Sequence, residues 1–161
     1  MPNRRTTLLA LAFAPALRPA TAAPAPAPVL SVAIRQARRE FDLPALEALP
    51  QRTLAPATPW YPGPRRFAGP LLRDVLGSAG LPADATGHAR CVALNDYRVD
   101  IPLVDLRRFD VVLAHRIDGK PIGVRDKGPL FVIYPFDERP ELRNSLYYGR
   151  CIWQLRSIEW A

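Results

Sequence analysis

A chain of 161 residues with a formal charge of +7 is long enough for one domain with a real core, and basic enough to raise nucleic acid as a partner. The charge pattern excludes that partner: Arg4, Arg5 and Arg18 fall in the first 22 residues without an acid among them, and the later arginines are scattered between Asp and Glu instead of striped along a face. The two histidines, His88 and His115, and two cysteines, Cys91 and Cys151, have no metal-ligand spacing, and nothing after residue 23 is apolar for long enough to span a bilayer.

In chain order, Asn3-Arg4-Arg5 is a short basic start, "TTLLALAFAPAL" an apolar stretch, and Ala20-Thr21-Ala22 a small-x-small cleavage site. Residues 1–22 therefore read as a secretory signal peptide, too short to cross a membrane as a stable span. Asn3 and Thr6-Thr7 fit general secretion better than twin-arginine export. Removal of the signal leaves 139 residues with a charge of +4, and places the mature protein in the periplasm. "APAPAPV", residues 23–29, is an extended Pro-Ala linker, and the domain is expected over 30–161.

"VLSVAI" (29–34) predicts a strand. "FDLPALEALPQ" predicts a short helix capped by Asp42, with Phe41 stapled onto Leu46 and Pro50 as its stop. "RTLAP" is a short strand, and residues 57–67 form an irregular loop with three prolines and the pair Trp60-Tyr61. "GPLLRDVLGSAGL" predicts a helix with Pro70 in the first turn and Gly80 as its C-terminal cap. "RCVALNDYRVDIP" is two strands around Asn95-Asp96, followed by a short helix from Pro102. "DVVLAHRIDGKPIGV" is a hairpin by its Asp118-Gly119 signal. A charged loop, Arg125-Asp126-Lys127-Gly128, then enters an apolar strand over 130–134, and "CIWQLRSIEW" is a terminal strand. Many short strands with a few short helices give an α+β domain. The cysteines sit in strand-like runs; a disulfide and two small buried hydrophobes are both open readings.

No nucleophile elbow and no glycine-rich phosphate loop is present. The candidate chemistry lies in loop residues: Trp60, the group Asn95, Asp96 and Tyr97, and the group Arg125, Lys127 and Gly128. Singly, each has a structural explanation as a core cap, turn residues or a solvated corner. Together, an aromatic, an amide, a carboxylate and cations are what a flat, hydrogen-bonding heterocycle requires: the aromatic stacks and the polar groups meet the ring edge.

The order "FAGPLLRDVLGSAGL", "ALNDYRVDIPLVDL", "VLAHRIDGKPIGVRDKGPLFVIYP" and a Trp-bearing last strand resembles the molybdopterin-binding domain of the sulfite oxidase type, over roughly residues 30 to 160. The resemblance implies that family's fold, with mixed sheets and a few short helices in one compact domain. It also implies a molybdenum held by a cysteine thiolate in the loop ahead of the first long helix. Here that region reads "RTLAPATPWYPGPRRF", with no Cys, and its Pro, Ala and Thr cannot replace a soft thiolate ligand. The chain is short of the cations that a pterin-phosphate site uses. It is thus similar to the small periplasmic pterin-binding proteins that report reduced pterins to a membrane receptor controlling cyclic-di-GMP turnover. The expectation is a non-catalytic binder of a reduced pterin, without molybdenum cofactor and without nucleic acid, with a membrane receptor as partner. The alternative is a molybdopterin-dependent oxidoreductase subunit.

Overall fold

The computed structural model describes residues 24–161. The expected signal peptide and the first linker residue lie outside the described residues; the rest of the linker is exposed and without regular structure up to residue 28. Three sheets carry the domain. In the first, β1 (Leu30–Ile34), β2 (Ala37–Phe41), β5 (His88–Ala93), β6 (Arg98–Pro102) and β11 (Leu155–Trp160) take the order β2-β1-β11-β5-β6. The β1–β11 pair is parallel, and the other pairs are antiparallel. The second sheet is β3 (Gln51–Leu54), β4 (Phe67–Pro70), β8 (Arg116–Ile117) and β9 (Lys120–Pro121), in that order. The third pairs β7 (Val112–Ala114) with β10 (Phe131–Ile133). Among the described residues, four short α-helices fill the connections: α1 (Leu43–Glu47), α2 (Leu72–Ser78), α3 (Leu103–Arg108) and α4 (Ser145–Arg150). The chain is thus α+β, as its pattern of short elements predicts.

Local sequence explains most of these elements. In β1, Leu30, Val32 and Ile34 are buried while Ser31 and Ala33 are half-exposed, the period of two that a one-sided strand requires. β7 and β10 are buried at every position and form the centre of the core, so they read as unbroken apolar runs. Asp42 caps α1, its Oδ1 accepting the Ala45 N–H at 2.8 Å, and Phe41 and Leu46 are both buried beside it. Asp118 and Gly119 have φ of 50° and 80°, the two positive values that a two-residue turn between β8 and β9 demands.

Two expectations are corrected, and two elements, β2 and α4, lie where the sequence reading assigned none. The helix expected from residue 69 begins at Leu72, because Gly69 and Pro70 pair with Arg52 and Gln51 in the second sheet. A Cβ on Gly69 would stand 1.9 Å from Leu113 O, so glycine lets β4 pass directly over β7. A strand, β2, lies within residues 35–41; its exposed Arg38, Arg39 and Glu40 are those of a charged edge. Residues 145–150 are a helix started by Asn144, whose Oδ1 accepts from the Leu146 and Tyr147 amides. Finally, Cys91 and Cys151 are both free and buried, so the reading as small hydrophobes holds, and Cys151 caps α4 instead of lying in a strand.

No helix among the described residues is long and apolar enough to cross a membrane.

Candidate functional site

A cleft of 370 Å³ opens where the β5–β6 turn, the loop after β3 and the segment from α4 to β11 meet. That volume is in the range of small-molecule sites. Its walls include Trp60, Asn95, Tyr97, Tyr148, Cys151 and Trp153. Three residues singled out in the sequence, Trp60, Asn95 and Tyr97, are therefore brought together across 37 positions of chain.

Trp60 is half-buried and makes edge contacts with Phe131, Tyr148 and Trp153, at centroid distances of 5.4, 5.9 and 6.1 Å. It caps the core and walls the cleft at once. Its loop is closed by the Ala57–Pro64 bridge and pinned by Asp118, which takes the Arg65 guanidinium at 2.8 Å and the Arg66 N–H at 3.0 Å. Those two contacts, the backbone one first, hold the Asp118 carboxyl below its ordinary pKa.

Asn95 and Asp96 make the turn between β5 and β6, and their side chains part ways. Asn95 Oδ1 accepts the Tyr97 N–H at 3.2 Å, which leaves its amide N–H groups for a ligand. Asp96 takes a φ of 65°, and its carboxylate meets Arg156 at 2.5 Å on the surface, with 68% of the side chain exposed. The expected acceptor for a ring edge is thus committed to an arginine and does not line the cleft.

The charged loop contributes one cation. Lys127, at φ 75°, gives its carbonyl to the Gln154 N–H at 3.1 Å, and its ammonium stands 5.1 Å from the Trp153 ring centre and 5.7 Å from that of Tyr61. Lys127 therefore sits against a cleft wall without lining the cleft itself. Arg125 is exposed and does not line it either. Gly128 is buried, and a Cβ there would fall 1.9 Å from Ile122 O, so its part is to let the loop pack.

Sequence reasoning missed the wall built by Tyr148 and Cys151. Asn144-Ser145 followed by Leu146, Tyr147 and Tyr148 was the available signal: an N-cap ahead of an apolar turn. Burial pushes the Cys151 thiol up to about 12. Neither that thiol nor residues 52–67 suit a soft metal centre. The buried polar atoms without a hydrogen-bond partner in that stretch are Arg52 Nε, which is cationic, and the Thr58 hydroxyl, a neutral, hard donor. The residues present do not fit a thiolate-held molybdenum.

A second, wider groove of 570 Å³ crosses the exposed face of the five-stranded sheet, among Arg35, Arg38, His88, Arg90, Asp100 and Glu159. Of its charges, Arg90 and Asp100 pair at 3.2 Å, while Arg38 donates to Ser31 at 2.8 Å and Arg35 lies over Trp160 at 5.1 Å. The aromatic cleft, with its free amide, is the better candidate.

No protein-family model matches this chain, and no curated protein sequence does. Among solved structures it is similar to the sulfane dehydrogenase SoxCD from Paracoccus pantotrophus, with a TM-score of 0.59 and 14% identity. The match covers 81% of this chain and 37% of that one, so the chain spans just over a third of the length of its neighbour. At this identity the likeness is one of fold.

Proposed function

We propose that this chain is an exported, non-catalytic protein that binds a reduced pterin in the aromatic cleft and presents it to a membrane receptor. The observation that carries the reading is the cleft's composition: four aromatic side chains, Trp60, Tyr97, Tyr148 and Trp153, with the Asn95 amide at the rim and no carboxylate in the wall. Flat rings stack against such walls, and an amide supplies direction. Export rests on the basic, apolar and small-residue order of residues 1–22.

In this reading Asn95 donates to the ring carbonyl, Tyr97 or Tyr148 covers a ring face, and Lys127 meets an acceptor on the ligand's substituent. Asp96 keeps its place with Arg156. The alternative is an oxidoreductase subunit carrying molybdopterin, which a likeness of fold at 14% identity does not single out. The donor set argues against it, since the loop of residues 52–67 has no thiol and the Cys151 thiol is buried. Anaerobic titration of the purified chain with a tetrahydropterin, followed by tryptophan fluorescence, tests the proposal. Saturable quenching at micromolar ligand is expected. No change at millimolar ligand, or stoichiometric molybdenum in protein made by a host that synthesises the cofactor, would sink it.

A further inference from the structure

The α4 wall of the cleft is lightly built. None of its six residues is fully buried; its attachment to the core is through Tyr147, which meets Phe109 and Tyr134, and Tyr148, which meets Phe136 and Trp60. Asn144 holds its first turn through the backbone. Its other end is held by a side chain from across the domain. Arg150 Nη1 donates to Asp105 Oδ2 at 2.6 Å, and the same oxygen accepts the Tyr134 hydroxyl at 2.8 Å. Asp105 lies on α3 and is 4% exposed; Tyr134 directly follows β10 and is fully buried. Cys151, Ile152 and Trp153, all in the cleft wall, come immediately after Arg150.

We propose that Asp105 is a positioning residue for the cleft: through Arg150 it fixes the segment 148–153, and with it the spacing between Tyr148, Trp153 and the facing Trp60. Asp105 touches no ligand. The claim about the wall concerns the chain itself, and only its effect on affinity rests on the pterin reading.

Three features make the node directional. Two donors from different elements converge on one carboxylate oxygen, so the position of Arg150 is set by both α3 and the end of β10. The Arg150 side chain is 18% exposed, so neither partner can be replaced by water without a large rearrangement. Removing one partner of such a pair leaves a charge in a poor solvent, and the chain then relaxes by moving the freed group outward. The element that can move is α4, because its neighbours in the node belong to the core. Burial, and then the Asp105 charge, push the Tyr134 phenol pKa up, so that this donor keeps its proton.

The two cysteines supply the test. Both are buried, and burial pushes both thiols up to about 12, so each reacts chiefly when its surroundings open. Both pack in the core; Cys151 lies in the segment held by the node, and Cys91 lies in β5, outside that segment. Alkylation by iodoacetamide in the native full chain, quantified at each cysteine by mass spectrometry, separates local opening from unfolding. In Asp105→Asn the Cys151 rate is expected to rise at least tenfold over wild type, with Cys91 unchanged. Arg150→Lys, which keeps the charge, should give a smaller rise. Tetrahydropterin affinity should fall in the same order. Rates at both cysteines rising in parallel, or neither rising, would overturn the proposal. Should Asp105→Asn fail to fold, Tyr134→Phe removes a single hydroxyl and is expected to give a severalfold rise at Cys151 alone. If wild type binds no tetrahydropterin, the pterin reading falls and the ratio of the two alkylation rates still decides this one.

Discussion

Adding one carbon at Gly128 should unseat the charged loop. A Cβ there would lie 1.9 Å from Ile122 O, 2.5 Å from Ile122 C and 2.8 Å from Gly123 O. All three are backbone atoms, so no rotamer change relieves the contact, and the turn from Gly123 to Gly128 must open instead. That turn is closed by the Gly128 N–H donating to Gly123 O at 2.8 Å, a bond that would be strained or lost. Overpacking of this kind costs about 1–3 kcal/mol, and a net hydrogen bond about 1 kcal/mol more. The lower entropy of alanine in the unfolded chain returns about 0.4–1 kcal/mol. The expected loss for Gly128→Ala is about 2 kcal/mol, or roughly 5–10 °C in Tm for a domain of this size. The control is the same substitution at Gly77, in α2, where a Cβ meets nothing within 4 Å. There helix propensity should stabilise by up to about 1 kcal/mol. Urea melts of the two variants beside wild type measure both signs. A Gly128→Ala variant within about 0.5 kcal/mol of wild type, the usual range for surface substitutions, would refute the steric argument.

Tyr97→Ala is expected to weaken tetrahydropterin binding by about three- to tenfold, the worth of one stacked ring, without loss of stability, since the side chain is 55% exposed; unchanged affinity in the fluorescence titration would remove Tyr97 from the site. Asp96→Asn should change that affinity less than threefold and stability by under about 1 kcal/mol, because its partner is Arg156 on the surface. A tenfold loss would return Asp96 to the ligand. Burial lowers the His115 pKa below its ordinary 6.5, the neighbouring Glu47 opposing in part. The unfolded chain therefore takes up the proton first, and stability should be lost as pH falls through about 6.5. His115 Nε2 lies 2.9 Å from Gln51 Oε1, so His115→Gln should flatten that part of the pH profile of urea midpoints, and a variant profile parallel to wild type would exclude His115 as its source.

What could be read from the sequence divides by how local its cause is. The Asp42 cap, the Asp118-Gly119 turn and the strand at β1 are set by neighbours within four residues, and all appear as expected. β11 resists such a reading. Leu155 and Ile158, three apart, are both buried, because the strand carries an irregularity between Leu155 and Ser157 in its pairing with β5. A strict period of two would have sent Ile158 to the solvent side. Within the cleft, Trp60, Asn95 and Tyr97 were legible as residue types out of place in plain loops. The fate of Asp96 was not, because its partner Arg156 is 60 residues away and nothing local selects it. The α4 helix had a local signal in Asn144, but its docking did not: its anchor, Asp105, sits 45 residues before Arg150.

The charged loop "VRDKGP" shows how one segment serves both packing and site. Its opposite charges do not pair into a single ion bridge. Arg125 is left to solvent, the Asp126 N–H closes the turn on Gly123 O at 2.9 Å, and Lys127 carries its ammonium to two aromatic faces. A cation placed over Trp153 and Tyr61 is partly desolvated without being neutralised, and it strengthens the hold on an electron-rich acceptor brought to the mouth of the cleft. That placement needs the lysine backbone at φ 75° and the next residue without a Cβ. Glycine at 128 is thus demanded by packing, while lysine at 127 is not: its φ of 75° suits Gly or Asn better, and neither would place a charge over two rings. Lys127→Gln should therefore leave the urea midpoint within about 0.5 kcal/mol of wild type and weaken binding of a tetrahydropterin, since a surface side chain over exposed rings contributes only about 0.5–1 kcal/mol to the fold. Loss of stability with unchanged affinity would mean that the lysine serves the turn and not the cleft.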